Sequence, residues 1–306
     1  MTELNAEDDS QIQNRFEIIF LYDVEEGNPN GDPLNENRPR VDEQTGENIV
    51  TDVRLKRTVR DYLDSQDEGV FIKASENEDG TLLSRQEMVE KALDKDIGDS
   101  DKIEIREELL NQFLDVRLFG ATISVEDYSF AMTGPVQFKM GRSMHEVDTR
   151  YTQQSVSIPS EEGKEQGTFA DRYDLPYSLI NFYGIVNENA AEDTNLTRGD
   201  VSKLADGLWN GTKSLITHSK MAHKPQALLI VEYSEDNYHI GGLDHLIEAE
   251  SDKEDTEIRR FDQIDLNYSD LREKLEEKAD KVEKVYVQSE EDIDLGNLEV
   301  EELELE

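Results

Sequence analysis

Cysteine is absent from the 306-residue sequence. Disulfides, thiolate catalysis and cysteine-ligated zinc sites are therefore excluded. The sequence also lacks an apolar run near the roughly 20 residues that a membrane-spanning helix needs. Its N-terminus, MTELNAEDDS, is too acidic and polar for a signal peptide. We therefore expect a cytoplasmic protein that does not contact a membrane.

Basic residues are scarce beside acidic ones, with 32 Lys and Arg against 72 Asp and Glu and a formal net charge of −40. This balance is typical of an acidic disordered protein or of a globular protein adapted to high salt. Molar salt screens the repulsion between carboxylates beyond about 3 Å. Apolar runs at 16–24, 177–186 and 226–233 favour a globular, halophilic protein. Its acidity then reflects its environment and not its partner.

Three segments depart from this acidity. Residues 38–60 contain six bases against four acids, residues 134–145 contain two bases and no acid, and residues 198–224 contain five bases against two acids. Basic segments in so acidic a chain indicate a polyanionic partner, although chance clustering and pairing on helix surfaces is the alternative. From these segments we take as candidate contacts Arg38, Arg40, Arg54 and Lys224.

The spacing of apolar residues predicts an α+β fold. We expect strands at 15–24, 127–138 (broken at Gly134–Pro135), 147–158, 177–186 and 226–233, and helices at 51–63, 85–94, 103–115 and 197–217, with a turn at 117–120. This order of elements is that of a split βαβ sandwich with insertions. Residues 1–14 and the last 17 residues are interpreted as tails, and the chain from about 246 onward as weakly structured.

The loop at 27–32, GNPNGD, is the most specific local feature. Glycine permits positive φ and close approach of backbone N–H groups to an anion, so Asn30 and Gly31 are candidate anion-binding residues. The spacing also partly matches a calcium loop, but Glu26 stands in place of Asp at the first position and Asn37 in place of Glu at the twelfth. A tight turn favoured by Asn-Pro and Asn-Gly is the third interpretation.

Motifs of catalysis are missing: the sequence has no nucleophile elbow, Walker loop or H-E-x-x-H. His218 and His223, five residues apart, do not share one helix face, so we expect neither a metal site nor a cofactor. The long polar segment at 159–176 separates two strand-like segments, which predicts a protruding hairpin. Phe169 and Tyr173 lie there beside Arg172 and either stack on nucleic-acid bases or pack against their own hairpin.

Five motifs occur in a characteristic order: GNPNGD, TDVRLKRTVRDYL, RLFG, GPVQFKMGRS and VDTRYT. Together they resemble the backbone subunit of the CRISPR Cascade complex, CRISPR-associated family seven, in its haloarchaeal type I-B form. The resemblance covers most of 15–245. It implies an RRM-like (ferredoxin-like) palm at 15–245 with a helical insertion at 64–125 and a thumb hairpin at about 153–176. An acidic extension at 246–306 is then partly palm and partly disordered tail.

Subunits of this family polymerise along a CRISPR guide RNA and contact its backbone, so that the bases stay free to pair with target DNA. The resemblance therefore implies five partners: the guide RNA, target DNA by way of the guide, further copies of the chain, the guide-processing endoribonuclease and the subunit that caps the guide 5′ end. It places Lys56 and Arg57, and also Lys139 and Arg142, at the guide backbone. In the thumb, which displaces one base, the candidate residues are Lys164, Phe169 and Arg172.

The resemblance also implies an antiviral subunit without catalysis of its own. Relatives in type III complexes, however, cleave RNA through a loop aspartate, so a metal-dependent ribonuclease that uses Asp32 or Asp148 is the alternative function. A calcium-binding or acidic interaction protein without RNA is the third.

Overall fold

The computed structural model describes residues 4–73, 81, 83–94, 97, 101–125, 128–155, 169–303 and 305. The strands are β1 (Phe16–Gly27), β2 (Gly31–Asp32), β3 (Arg38–Pro39), β4 (Glu47–Val50), β5 (Gly120–Val125), β6 (Tyr128–Thr133), β7 (Val136–Phe138), β8 (Gly141–Glu146), β9 (Arg150–Ser155), β10 (Phe169–Val186), β11 (His223–Tyr233), β12 (Glu248–Glu250), β13 (Asp265–Asn267), β14 (Val282–Ser289) and β15 (Val300–Glu302). The helices are α1 (Asp52–Ser65), α2 (Arg85–Leu93), α3 (Lys102–Gln112), α4 (Leu114–Phe119), α5 (Glu188–Thr194), α6 (Arg198–Lys213) and α7 (Ser269–Glu277).

A central sheet organises the chain in the order β15-β14-β11-β1-β10-β8-β4. β1 lies antiparallel between β10 and β11, and β15 is parallel to β14. β10 is 18 residues long, and its second half belongs to the sheet. Its first half, at 169–174, pairs with β9 to form an antiparallel ribbon that projects from the sheet. The structure is thus the mixed α/β arrangement that the sequence predicts in outline.

Both faces of the sheet are covered, which explains why β1 reads as a continuous apolar run. Ile18 and Phe20 belong to the core shared with α1 and α6, whereas Ile19 and Leu21 belong to the core on the opposite face, which includes residues of α7. Helices α1 and α6 approach closely because Gly207 has no side chain. A Cβ at this position would lie 2.9 Å from Cγ1 of Val59.

Helix α1 follows its sequence signals. Thr51 is the N-cap, and its side chain accepts a hydrogen bond from the N–H of Arg54. Leu55, Val59 and Leu63 are buried, and their spacing of four residues places them on one face. The Asp52 carboxylate lies in the first turn, where the helix dipole favours a negative charge.

The segment after α1 differs from the sequence prediction. The expected helix at 103–115 is two helices, α3 and α4, which meet at Phe113 in extended backbone. The expected turn at 117–120 is instead the end of α4 followed by Gly120, whose φ is +72° and whose added Cβ would lie 2.1 Å from the Met132 carbonyl oxygen. Only glycine fits there. Strand β5 was not predicted, although three of its six residues are β-branched, and strand β8, which has no β-branched residue, was not predicted either.

The two ends of the chain are also more ordered than expected. Residues 4–14 are not a free tail: Leu4 and Ile12 are buried, and the N–H of Ile12 donates to the Leu196 carbonyl. Near the C-terminus, β14 and β15 extend the central sheet. The high charge of this region misled the prediction, because its acids occupy exposed positions while the apolar residues between them face the core.

A separate hydrophobic cluster is formed by residues from the described part of 71–132, whereas Leu114, Leu118 and Phe119 of α4 belong to the main core. Asp115, fully buried, ties this cluster to α1. Its carboxylate accepts hydrogen bonds from Arg60 Nε at 2.8 Å, from the N–H of Phe71 at 2.7 Å and from the N–H of Ile72 at 3.0 Å. Within the described residues, no helix is long and apolar enough to cross a membrane.

Candidate nucleic-acid interface

A groove lies at the base of the β9–β10 ribbon. This ribbon groove encloses about 620 Å³, and its lining includes Arg38, Arg40, Thr51, Met140, Tyr151 and Tyr173. The β2–β3 hairpin forms one wall. The Asp32 carbonyl closes its turn by accepting from the N–H groups of Asn35 and Asn37.

The predicted loop residues Asn30 and Gly31 shape this wall. The Asn30 side-chain oxygen accepts from the Thr51 N–H at 2.9 Å, which fixes the loop against the start of α1. A Cβ at Gly31 would lie 2.2 Å from Oδ1 of Asn37, so a larger residue would displace the turn. Both residues therefore have a structural role beside the groove, and direct contact with RNA remains a prediction for them.

Arginine and tyrosine side chains combine in the ribbon groove. The Arg38 guanidinium lies 4.4 Å from the centre of the Tyr173 ring and donates to its hydroxyl at 3.0 Å. The Tyr151 ring centre is 5.2 Å from that of Tyr173, and Tyr151 is 52% exposed. Exposed aromatic rings beside guanidinium groups can stack on nucleotide bases.

A second groove continues across the sheet. This sheet groove encloses about 810 Å³, and its lining includes Lys139, Met140, Arg142, Asn181, Asp244 and Ile247. Met140, 57% exposed, lines both grooves, so that the two form one surface. The structure thus brings together Arg38, Arg40, Lys139 and Arg142, which come from two of the three basic segments.

Each of these four cations contacts a carboxylate of the same chain. The shortest N–O distances are 2.7 Å from Arg38 to Glu36, 3.3 Å from Arg40 to Asp32, 2.7 Å from Lys139 to Asp244 and 2.9 Å from Arg142 to Glu47, with Asp42 also 3.1 Å from Arg142. The adjacent arginine lowers the pKa of the Glu36 carboxyl, mainly through the hydrogen bond from Arg38. The grooves are therefore lined by ion pairs and not by bare positive charge.

Other predicted contacts lie outside the two grooves. Lys56 is only 11% exposed, since its ammonium lies 3.2 Å from the Asp52 carboxylate and covers the Phe119 ring. Arg57 is bound to Asp61 at 2.5 Å. Lys224 contacts Glu290 at 2.9 Å. The sequence alone does not show which basic side chains of a helix point into the protein and which point to solvent.

The predicted thumb residues fall at different places. Lys164 lies outside the described residues, as does the side chain of Phe169. Arg172, predicted as part of the base wedge, instead lies at the root of the ribbon. It donates to the Asp174 carboxylate at 2.9 Å and to the Glu26 carbonyl at 3.0 Å, so that it ties β10 to the end of β1. The buried Asp174 carboxylate also contacts Arg150, so it holds both arginines at the root of the ribbon.

Arg54 differs from the other predicted cations. Its guanidinium donates to the Thr58 hydroxyl at 2.9 Å and, in the part of the chain that is described, contacts no carboxylate. It lies beside His223 in a small cavity, and its charge and that of Lys220 both act on His223. Lys220 and His223 were not predicted as site residues, although they belong to the basic segment at 198–224.

The side chains of the loop at 26–32 have protein partners that point in different directions. Glu26 contacts Arg150, the Asn28 amide donates to the Asn37 carbonyl, and Asp32 contacts Arg40. Over the described ranges, no group of three or more His, Asp or Glu residues could hold a metal ion. The geometry therefore offers no support to a calcium loop here.

Comparison with known proteins identifies the family. A family model described as CRISPR-associated protein Cas7 matches residues 14–269. The chain belongs to the Cas7 family. A Cas7 protein of Haloferax volcanii is 35% identical over 298 residues, which cover 90% of this chain and 86% of the relative. The resemblance found in the sequence motifs is thereby confirmed, and a relative from a Haloferax agrees with the halophilic interpretation of the charge.

Solved structures share the fold of this Cas7-family chain. One, named CRISPR RNA-guided surveillance complex, matches with a TM-score of 0.55 and 16% identity over 94% of each chain. A second, of such a complex in a pre-nicking state, matches with a TM-score of 0.55 and 15% identity over 94% of this chain and 96% of the other. At this identity the similarity establishes the arrangement of the chain and not its contacts.

Proposed function

We propose that this Cas7-family protein binds CRISPR guide RNA as a repeated backbone subunit of a type I-B Cascade complex and has no catalytic activity of its own. The observation that carries the proposal is the continuous surface of the ribbon groove and the sheet groove. It presents Arg38, Arg40, Lys139 and Arg142 along one path in a chain whose net charge is −40. The exposed ring of Tyr151, next to the half-buried Tyr173 and Arg38, suits a single strand with accessible bases.

The topology supports the palm and thumb that this function requires. Leaving insertions aside, β1, α1, β8, β10, α6 and β11 occur in the βαββαβ order expected of a ferredoxin-like palm, with both helices on one face of the sheet. The β9–β10 ribbon projects at the position expected for the thumb. In the proposed complex, the palm contacts the guide backbone and the thumb displaces one base, so that the remaining bases pair with target DNA.

The named relatives support the same assignment. The similar solved chains come from RNA-guided surveillance complexes. We infer that the partners of this chain are the guide RNA, target DNA by way of the guide, further copies of itself and the other Cascade subunits. Among these are the endoribonuclease that processes the guide and the subunit at the guide 5′ end.

Stoichiometry against RNA length tests the repeated-subunit role. The purified protein is mixed at high salt with single-stranded RNAs of increasing length, and the mass of each complex is measured by light scattering. We expect the number of bound copies to rise in regular steps with length. A single copy on every RNA, whatever its length, would contradict a backbone subunit.

A cleavage assay distinguishes the ribonuclease alternative. The same RNAs are incubated with Mg²⁺ or Mn²⁺, and we expect them to stay intact. RNA products that disappear in Asp32→Ala or Asp148→Ala, but persist in a variant of an exposed acid outside the grooves such as Asp294→Ala, would establish an enzyme instead.

A further inference from the structure

Three basic residues meet on the helical side of β1, outside both grooves. This basic pocket consists of Arg54 in the first turn of α1, Lys220 in the loop before β11, and His223 at the start of β11. Arg54 and His223 line one small cavity together with Tyr22 and Pro29. Lys220 does not line this cavity, but its charge acts on His223, and its ammonium donates to the Ser219 hydroxyl at 3.1 Å.

The polar atoms of the pocket are incompletely bonded. Nε of Arg54 and Nε2 of His223 are buried and have no hydrogen-bond partner within the described residues. His223 is 93% buried, since 7% of its surface is exposed. A buried donor without a partner costs free energy, and native structures leave few of them. Both atoms are therefore available to a ligand.

The charges of the pocket are uncompensated, unlike those of the grooves. No carboxylate of the described chain contacts Arg54 or Lys220; Asp61, whose charge acts on Arg54, is bound to Arg57. Burial and then the Arg54 charge lower the pKa of Lys220. Burial, followed by the charges of Lys220 and Arg54, lowers the pKa of His223 to about 3. An anion placed here would relieve this repulsion.

The size of the cavity limits what the anion can be. Its volume is about 10 Å³, which is about the space that one water-sized oxygen occupies. A phosphate group fits only with one oxygen directed inward and the rest at the mouth, where Arg54 and Lys220 are partly exposed.

The pocket continues the path of the ribbon groove. Thr51 lines the groove, and its N–H donates to the side chain of Asn30. Pro29, the residue before Asn30, lines the cavity that contains Arg54. The loop at 28–31 therefore separates the two sites by the width of one turn, a span that a strand of RNA can cross.

We propose that Arg54 and Lys220, with His223 beneath them, bind one backbone phosphate of the guide RNA where the strand leaves the ribbon groove. This inference rests on the proposed guide-binding function. It assigns the pocket to the guide strand. Arg54 can contact a phosphate without first releasing a carboxylate, whereas each of the four groove cations must release one.

A double variant tests the assignment. Arg54→Gln with Lys220→Gln is compared with Arg272→Gln with Lys213→Gln, which removes the same two charges from α7 and α6 outside the pocket and the grooves. Binding of a fluorescein-labelled single-stranded RNA is followed by anisotropy from about 0.2 to about 2 M KCl. The slope of log K against log [KCl] should become shallower by about 0.7, the contribution of one phosphate on a single strand.

Chemical protection gives a second readout that does not depend on a variant. RNA should protect Lys220 from amine acylation while Lys213, whose ammonium lies at the Trp209 ring, stays reactive. Inorganic phosphate alone at the same phosphate concentration should not protect Lys220, and protection by it would assign the pocket to a free anion instead.

If wild-type protein binds RNA but the double variant matches its control and Lys220 stays reactive, the pocket assignment is wrong and the guide-binding function stands. If wild-type protein binds no RNA, both are wrong.

Discussion

Conversion of three groove carboxylates to amides should strengthen RNA binding at low salt. Glu36 contacts Arg38, and Asp42 and Glu47 contact Arg142. The triple variant Glu36→Gln, Asp42→Asn, Glu47→Gln removes three negative charges but keeps a side-chain oxygen that can still accept from each guanidinium. We therefore expect the fold to be preserved while Arg38 and Arg142 lose their charged partners.

The magnitude follows from counterion release. In the wild type, a phosphate that binds Arg38 or Arg142 displaces a carboxylate that stays nearby, so the net neutralisation is small. In the variant, each freed arginine neutralises one phosphate. The slope of log K against log [KCl] should steepen by about 0.7 for each arginine and about 1.4 for both, a further loss of roughly 25-fold for a tenfold rise in salt.

Anisotropy titrations over the same salt range measure this slope. The matched control carries Glu235→Gln, Glu277→Gln and Asp294→Asn, which changes the charge equally at ion pairs outside both grooves. The triple variant should bind more tightly than this control at low salt and converge with it at molar salt. Equal slopes for the two variants would refute the view that these carboxylates compete with the guide.

Three further predictions concern stability and stacking. Asp115→Ala should lower the free energy of unfolding by about 3–5 kcal/mol in denaturant titrations, because buried Arg60 and two N–H groups lose their acceptor; a loss below about 1 kcal/mol would contradict it. Burial lowers the pKa of His223 to about 3 from 6.5. As the pH falls, the unfolded chain is therefore protonated at His223 before the folded chain, and the free energy of unfolding should fall by about 2 kcal/mol between about pH 7 and pH 5. His223→Gln should remove this part of the pH dependence, and an unchanged profile would count against it. Tyr151→Ala should weaken RNA binding about tenfold at every salt concentration, as loss of stacking does, whereas a loss confined to low salt would assign Tyr151 another role.

The sequence predicts the elements whose patterns are local. The apolar run of β1 and the buried face of α1 are recovered because burial on both sides of a strand, or on one side of a helix, leaves a regular trace. The break at Gly134–Pro135 between β6 and β7 is recovered because glycine and proline interrupt a strand. β14 is missed because its buried run at 284–287 is short, includes Lys284 and lies among charged residues.

The site is predicted only in part because a sequence does not show where each charged side chain points. Arg38 and Arg142 reach the grooves, but Lys56, on the same helix as Arg54, is turned towards Asp52 and Phe119. The carboxylate partners of the groove cations are equally hidden, since Glu47 and Arg142 are brought together by the pairing of β4 with β8. The sequence marks His223 only as one of a histidine pair and as part of a basic segment; its position beside Arg54 comes from a cavity that β1, the loop after it, α1, the end of α6 and β11 enclose.

Copurified RNA tests the central claim most directly. The protein is purified from its host at high salt, its absorbance ratio at 260 and 280 nm is recorded, and any RNA is sequenced. A guide-binding backbone subunit should carry short RNAs of the repeat–spacer class from the CRISPR array of that host. Protein free of nucleic acid, or bound to RNA drawn from unrelated transcripts, would contradict the proposed function.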